Sequence, residues 1–255
     1  MYKYSILTYI FDNKEILRDV PKDDNIEYVC VTNNKNLQSD VWKIIIDKDL
    51  NNLNPLYCSF YVRYHPFKYC SGNICIRIDG SIQIKQSLLD LFNEFDNSNN
   101  DICVMTNSRA NNIFTELLYW PFVKNKKEQI DYYKNLGIDI KKEGCLQSPF
   151  SITRNNDLCN KCDSLCWYII NKFSNNGIMR PSQVAMTVAI QQIKDLKIMF
   201  VDESLIQSNI MQWCHHNISI KRQSLFIKQQ KNFFEKPIII YNFNDVYCVN
   251  DVVWR

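Results

Sequence analysis

The sequence contains very little glycine, with 5 residues in a chain of 255. Neither G-x-G-x-x-G nor G-x-x-x-x-G-K-[ST] occurs in it. The chain therefore lacks the glycine-rich loops with which the P-loop and dinucleotide-binding classes cradle phosphate.

Long apolar runs and a large net charge are also missing. No apolar run approaches the roughly 18 residues that a membrane-spanning helix requires. The first residues, MYKYSILTYIF, lack the basic segment and long apolar core of a signal peptide. The 30 Lys and Arg against 27 Asp and Glu leave a charge of +3, too small for an electrostatic nucleic-acid binder. We expect a cytoplasmic protein with no nucleic-acid partner and no membrane span, for which peripheral membrane contact stays open.

Cysteine is plentiful, with 11 residues, and several stand singly inside apolar strands, among them Cys30, Cys75 and Cys103. Such cysteines behave as small hydrophobic residues in a reducing compartment. Cys159 and Cys162 have the C-x-x-C spacing of a zinc site, but no second C-x-x-C or H-x-x-x-H follows them. Zinc is therefore a weaker interpretation than a packed core.

Apolar strands alternate with helical segments along the chain. We predict strands at 4–11, 27–32, 41–47, 74–79, 101–106 and 146–153. We predict helices at 56–66, 86–95, 112–123, 127–136, 158–173 and 181–194, followed by a β-rich tail over 197–255. With 46% hydrophobic residues, this pattern predicts one α/β domain over 1–255 with a central mixed sheet flanked by helices.

Residues 74–85, ICIRIDGSIQIK, are the most informative stretch. An apolar strand delivers Asp79 into the turn Asp79-Gly80-Ser81, and an alternating run leaves it. Open α/β sheets bind ligands where their strands end, and hard cations with their phosphates need oxygen ligands there. The alternative is an ordinary Asp-Gly hairpin turn.

Polar residues also follow the other predicted strands. Asp12 follows the first strand, Asn33 follows the second, and Arg63 and Lys68 flank the end of the first helix. A polar group just past the end of a strand is where a nucleotide would be held. Asp and Asn also favour ordinary loops, so plain loop chemistry is the stronger interpretation for each of these residues taken singly.

A further group of polar residues lies in the second half. Arg109 has the side chain to clamp a phosphate or carboxylate in a bidentate manner. Glu116 lies in the apolar run IFTELLYW, either on a solvated face or as a carboxylate tuned by burial to act as a general base. Arg180 and Gln183 begin the last predicted helix.

Histidine is scarce, and two of the 3 histidines, His215 and His216, are adjacent. A histidine delivered by the C-terminal strands could complete a metal site begun by Asp79. A surface histidine pair is the alternative.

Taken in order, these segments resemble a glycosyltransferase-like family of bacterial surface-polysaccharide loci and plant wall and mucilage proteins. The similarity runs over roughly residues 4–195. It rests on YIFDN, YVCVTNN, SFYVRYHPFKYC, IRIDGSIQIK, TNSRANNIFTELL, EQIDYYKNLG, SPFSITRNND, SLCWYIINKF and RPSQVAMTVAI.

The resemblance implies a GT-A-like, Rossmann-type fold that binds a nucleotide-diphosphate sugar with Mn²⁺ or Mg²⁺. It assigns 1–106 to nucleotide-sugar binding and 107–255 to the acceptor side, and it implies a hexosyltransferase of polysaccharide biosynthesis. The donor would be bound by Asp12, Asn33, Arg63, Lys68, Asp79 and Ser81. The metal would be bound by Asp79, Ser81, His215 and His216. Arg109, Glu116 and Arg180 would face a glycan or glycoprotein acceptor, and catalysis would involve Asp79, Glu116 and Gln183.

Several positions depart from the family pattern. Asn33 and Ser182 stand where the family has Asp, and Thr115-Glu116 stands for a double Glu. Arg77 occupies the position two residues before Asp79, so a full Asp-x-Asp motif is absent. These changes keep two rivals open beside the transferase. One is an inactive binding module with the same fold, and the other is a different enzyme such as a nucleotidyltransferase. The sequence does not choose between inversion, with Glu116 as base, and retention, with a group near Gln183.

Overall fold

A mixed sheet of seven strands is the centre of the computed structural model, which describes residues 2–12, 15–51, 53–107, 110–119, 125–174, 182–214, 238–241 and 246–249. The strands are β1 (Tyr4–Ile10), β2 (Ile26–Thr32), β3 (Lys43–Ile46), β4 (Ile74–Ile78), β5 (Ile82–Ile84), β6 (Ile102–Thr106), β7 (Leu146–Arg154), β8 (Ile198–Val201), β9 (Met211–Trp213), β10 (Ile238–Tyr241) and β11 (Val246–Val249). The helices are α1 (Pro55–Arg63), α2 (Leu89–Asn97), α3 (Ile113–Tyr119), α4 (Lys126–Asn135), α5 (Asp157–Phe173) and α6 (Ser182–Gln192).

The order of strands in the central sheet is β3-β2-β1-β4-β7-β6-β8. The strands β1 to β4 are mutually parallel where they pair, and β6 is parallel to β8. The exception is β7, which runs antiparallel to both β4 and β6. Two small antiparallel pairs, β5 with β9 and β10 with β11, lie outside this sheet.

Alternate residues of each strand face opposite sides of the sheet, as the pleat requires. On one side, Ile6 and Ile76 pack with Phe92 of α2. On the other side, Leu7 packs with Val62 of α1, and α3 to α6 cover the part of the sheet nearer β6. Fully burying a side chain of this size contributes about 1.5–3 kcal/mol. The sheet is therefore held by apolar layers on both faces.

The predicted central mixed sheet flanked by helices is confirmed. Helix α1 ends earlier than predicted, at Arg63, because Pro66 cannot continue it and starts a short 3-10 helix, Pro66–Lys68. Within the described part of the chain, no helix combines the length and apolarity needed to cross a bilayer. The assignment of 1–106 and 107–255 to donor and acceptor stays a prediction.

The alternative of an Asp-Gly hairpin is wrong. The strand before the turn, β4, pairs with β1 and β7, whereas β5 pairs with β9. The amide of Ile82 does donate to the carbonyl of Asp79 at 2.9 Å, so the turn itself is tight. The strands on either side of the turn diverge, however, and the turn lies at the boundary between two sheets.

Gly72, in the loop before β4, packs directly on the backbone of β1. A Cβ added there would lie 2.6 Å from Ser5 Oγ and 2.7 Å from the carbonyl carbon of Tyr4. We expect Gly72→Ala to lower the free energy of unfolding by about 1–3 kcal/mol, since overpacking forces a backbone shift. Urea unfolding measures this change. The exposed neighbour Asn73→Ala is the control, expected to stay within about 0.5 kcal/mol of wild type. Equal stability of the two variants would contradict the contact.

Candidate functional site

The carboxyl ends of β1, β2, β4 and β6 lie at one edge of the central sheet. The first three are parallel neighbours, and β6 shares their direction because both β4 and β6 are antiparallel to β7. Strand β1 lies between β2 and β4: the chain runs from β1 through β2 to β3 on one side and then crosses to β4 on the other side of β1. A crevice for ligands forms outside the strand ends at such a switch point. Asp12, Asn33 and Asp79 follow β1, β2 and β4 there.

Asp79 is held by two side chains that contact the same carboxylate oxygen. The Tyr9 hydroxyl donates to Asp79 Oδ1 at 2.7 Å, and Arg63 Nη2 also donates to Oδ1. Arg63 Nε donates in turn to the Tyr9 hydroxyl oxygen at 2.6 Å. Tyr9 and Arg63 are 5% and 3% exposed, whereas the Asp79 side chain is 32% exposed. The cluster is thus buried beneath an accessible carboxylate.

The protonation states of this cluster follow from its burial and its charges. Burial raises the pKa of Tyr9, and the Asp79 carboxylate raises it further against the opposing effect of Arg63. Burial alone would lower the pKa of Arg63, but Asp79 and Tyr9 more than reverse this and raise it. Tyr9 is therefore a neutral donor and Arg63 a permanent cation.

The second oxygen of Asp79, Oδ2, has no partner among the residues that the structure describes. Among the described residues, every hydrogen bond and ion pair of the carboxylate goes to Oδ1, and none goes to Oδ2. The backbone is fixed as well, since the Asp79 amide donates to the carbonyl of Pro149 in β7 at 2.9 Å. Within the described part of the chain, Asp79 therefore presents one carboxylate oxygen without a hydrogen bond at the switch point of the sheet.

Asp12 and Asn33 form a reciprocal pair beside this position. Asn33 Nδ2 donates to Asp12 Oδ1 at 3.0 Å, and the Asp12 amide donates to Asn33 Oδ1 at 3.0 Å. Asp12 has φ = 57°, a left-handed conformation that a non-glycine residue adopts infrequently. The pair bridges the ends of β1 and β2, where the predicted nucleotide would lie. Its role in binding the donor stays a prediction.

Strand β9 brings the C-terminal segment onto the Asp79 turn. Ile82 pairs with Trp213, and the Cys214 amide donates to the Ser81 carbonyl at 2.7 Å. Ser81 is buried, at 1% exposed. His215 and His216 lie outside the described residues, but they directly follow the residue that is bonded to this turn.

Lys68 is paired elsewhere. Its ammonium lies 2.8 Å from Asp47 Oδ2, at the end of β3, and the Tyr69 hydroxyl donates to the same oxygen at 2.6 Å. Burial works against ionisation of Asp47, but these hydrogen bonds outweigh it and lower its pKa. Contact between Lys68 and a donor phosphate stays a prediction, and it would compete with Asp47.

Glu116 lies at the same edge of the sheet as Asp79, beyond β7. It is 2% exposed, in the first turn of α3. Asn107, just after β6, donates from Nδ2 to Glu116 Oε2 at 3.0 Å and accepts from Gln147 Nε2 at 3.4 Å. A buried, hydrogen-bonded carboxylate is suited to general-base chemistry once substrate reaches it.

The other predicted acceptor-side residues are only partly described. Gln183 is half-buried in the first turn of α6, beside Ser182, whose hydroxyl lies 3.0 Å from that of Ser148 in β7. Arg109 and Arg180 lie outside the described residues. The structure thus brings the start of α6 to the edge that carries Asp79, and the roles of all three stay predictions.

Arg77, where an Asp-x-Asp motif would place its first carboxylate, forms a buried ion pair. Its Nη1 lies 2.5 Å from Asp163 Oδ1 in α5 and donates to the Arg63 carbonyl at 3.2 Å. Its Nε donates to Ser151 at 2.9 Å. The side chains of Arg77 and Asp163 are 1% and 6% exposed. Arg77 therefore supports the end of α1 from below and does not reach a ligand at the surface.

Tyr9 and Asn107 are the contributors to the site that sequence reasoning missed. Tyr9 lies within a continuous apolar run, where its hydroxyl gave no signal. Knowledge of the register between β1 and β4 would have indicated Tyr9. Leu7 lies opposite Arg77 in these parallel strands, so Tyr9, two residues further along, lies level with Asp79. That register is not readable from either strand alone.

The C-x-x-C cysteines lie in the core. Cys159 and Cys162 are buried where α5 packs against the sheet and α6, and burial raises the pKa of Cys159 to about 11. Among the described residues, no group of three or more His, Cys, Asp or Glu side chains is placed to hold a metal ion. Cys159 and Cys162 therefore act as core residues.

No family model and no curated protein matches the chain. Among solved structures, it is similar to the galactosyltransferase LgtC in complex with donor and acceptor sugar analogs, with 10% identity, a TM-score of 0.46, and 89% of this chain and 95% of that one covered. It is also similar to apo mouse xyloside xylosyltransferase 1, with 12% identity, a TM-score of 0.45, and 78% and 85% covered. The glycosyltransferase GlyE of Streptococcus pneumoniae gives 11% identity, a TM-score of 0.43, and 93% and 52% covered. Identities and TM-scores this low do not establish a function or a site, so both are argued from the residues of this chain.

Proposed function

We propose that this chain is a glycosyltransferase that moves a sugar from a nucleotide-diphosphate sugar to a hydroxyl of a glycan or glycoprotein. The observation that carries the proposal is the position of Asp79 and the contacts of its carboxylate. It follows β4 at the switch point of the sheet, with Oδ1 held by Tyr9 and Arg63 and with no hydrogen bond to Oδ2 from any residue that the structure describes. The family resemblance of the surrounding segments gives this carboxylate its expected partner, a donor diphosphate.

A divalent metal fits the donor set around Asp79. Mg²⁺ and similar hard cations commonly bind through one or two carboxylates, the substrate phosphates and water. A single carboxylate oxygen from the central sheet is therefore enough to bind the cation together with the phosphates. His215 or His216 would add a ligand from the segment after Cys214. When bound, Mn²⁺ or Mg²⁺ would neutralise charge on the departing diphosphate.

The remaining roles are assigned by position. Asp12 and Asn33, at the ends of β1 and β2, would line the nucleotide. Arg63 would act on the diphosphate through Asp79, because its guanidinium is buried beneath that residue. Glu116, held by Asn107, would take the proton of the acceptor hydroxyl in an inverting reaction, and Gln183 would face the sugar in a retaining one.

The test is a panel of nucleotide sugars with Mn²⁺, read by thermal unfolding and by slow hydrolysis of the donor. A donor at 100 times its Kd stabilises by about 2.7 kcal/mol, a rise of roughly 5–10 °C in Tm for a chain of this size. We expect one donor to give such a rise, and EDTA to remove most of it. Binding without hydrolysis or transfer would favour the inactive binding module. No rise and no hydrolysis with any donor would contradict the proposal.

A further inference from the structure

We infer that Tyr9 is a positioning residue that keeps Arg63 on one oxygen of Asp79, so that the other oxygen stays open to the ligand. This inference rests on the proposed function, since the ligand in question is the metal–diphosphate group. Tyr9 would not touch that ligand. It would act through the buried contacts it makes with Arg63 and Asp79.

The contacts of Tyr9 divide the guanidinium of Arg63 between two partners. Arg63 Nε donates to the Tyr9 hydroxyl oxygen at 2.6 Å, and Nη2 donates to Asp79 Oδ1. The Tyr9 proton is then directed to the same Oδ1 at 2.7 Å. Both donors therefore converge on Oδ1, and the described residues leave Oδ2 without a hydrogen bond.

If the Tyr9 hydroxyl were absent, a different pairing of Arg63 with Asp79 would compete with this arrangement. An arginine and a carboxylate prefer a bidentate pair, in which two N–H groups contact both oxygens. Tyr9 prevents the form of that pair that uses Nε together with Nη2, because its hydroxyl oxygen already accepts from Nε. If the hydroxyl were removed, Nε would be left buried and unpaired, at a cost that favours rotation of the guanidinium toward Oδ2. The oxygen that would bind a cation would then be taken by Arg63.

The protonation of Tyr9 is consistent with this role. Burial and the adjacent carboxylate both raise its pKa, so it remains a donor to Asp79 throughout the physiological range. Lys68 and Asp47, the charged pair nearest along the chain after α1, bond to each other and to Tyr69. Among the described residues, the side chains that donate to the Asp79 carboxylate are those of Tyr9 and Arg63.

The test compares Tyr9→Phe with wild type for binding of Mn²⁺ in the presence of UDP, GDP, ADP or dTDP, with free Mn²⁺ counted by EPR. Positioning groups behind metal ligands are typically worth roughly 10–100-fold in affinity. We expect a loss of that size for Mn²⁺, with the nucleotide affinity in EDTA unchanged. Tyr28→Phe is the matched control, because Tyr28 is also a buried residue and its hydroxyl donates to the carbonyl of Pro21 at 2.9 Å.

A second variant separates positioning from general damage. Lysine cannot form the bidentate fork, so Arg63→Lys added to Tyr9→Phe is expected to bind Mn²⁺ more tightly than Tyr9→Phe alone. Wild-type Mn²⁺ affinity in Tyr9→Phe, or equal losses with and without metal, would overturn the inference and leave the proposed function standing. Wild-type protein that binds no Mn²⁺ with any of the four nucleotides would overturn both.

Discussion

Asp79→Asn is expected to abolish metal-dependent binding of the nucleotide while nearly preserving the shape of the turn. The asparagine retains an oxygen that accepts from Tyr9 and Arg63, but in place of the second carboxylate oxygen it presents an NH₂ group, which donates hydrogen bonds and cannot bind a cation. Since even outer groups behind a metal ligand are worth roughly 10–100-fold, loss of the ligand itself should exceed about 100-fold. Titration of Mn²⁺ and nucleotide by calorimetry measures this loss.

The fold must be monitored in the same experiment. Arg63 is buried and loses its charged partner in this variant, which also lowers the free energy of unfolding. Asp163→Asn is the matched control, because it removes the carboxylate partner of the other buried arginine, Arg77, away from the open edge. It should destabilise the fold yet retain the affinity of wild type. If Asp79→Asn also retains that affinity, the Asp79 turn is not a ligand site.

The second large effect concerns the buried pair itself. Asp163→Leu leaves Arg77 buried without its carboxylate, and breaking such a pair typically costs about 3–5 kcal/mol. Arg77 Nη2 and Asp163 Oδ2 already lack hydrogen-bond partners among the described residues, so no described side chain bonds to Nη2 and could hold the arginine after the carboxylate is removed. Urea unfolding of Asp163→Leu against wild type measures this change.

The double replacement Arg77→Met with Asp163→Leu separates charge from packing. Apolar groups of similar volume can replace a buried pair at little cost. We therefore expect the double variant to recover most of the loss in free energy of unfolding. A double variant as unstable as Asp163→Leu would mean that the pair contributes by shape and hydrogen bonds, through Ser151 and the Arg63 carbonyl.

The strands and helices were largely predictable, because the spacing of apolar residues along the chain indicates whether a segment is a strand or a helix. The run YSILTYIF contains β1, which is buried at every position, and the apolar helix predicted at 158–173 corresponds to α5. Asp79 was predictable as a strand-end carboxylate for the same reason. Such features can be predicted from the spacing of apolar residues within a single strand or helix.

Pairing between distant segments could not be predicted in this way. The antiparallel β7 lies between β4 and β6, and nothing in its own sequence specifies either neighbour. Asp163 lies 86 residues from Arg77 in the chain, so their ion pair depends on how α5 packs against the sheet. The Tyr9 contact depends on the register of β1 and β4. Each is a property of tertiary packing, which local pattern does not encode.

The measurement that tests the central claim most directly is a crystal structure with Mn²⁺ and the nucleoside diphosphate that binds tightest. We expect a metal ion in direct contact with Asp79 Oδ2, with the diphosphate on the same ion and Tyr9 and Arg63 still on Oδ1. A nucleotide bound away from the carboxyl ends of β1 and β4, with Asp79 touching neither metal nor phosphate, would contradict it.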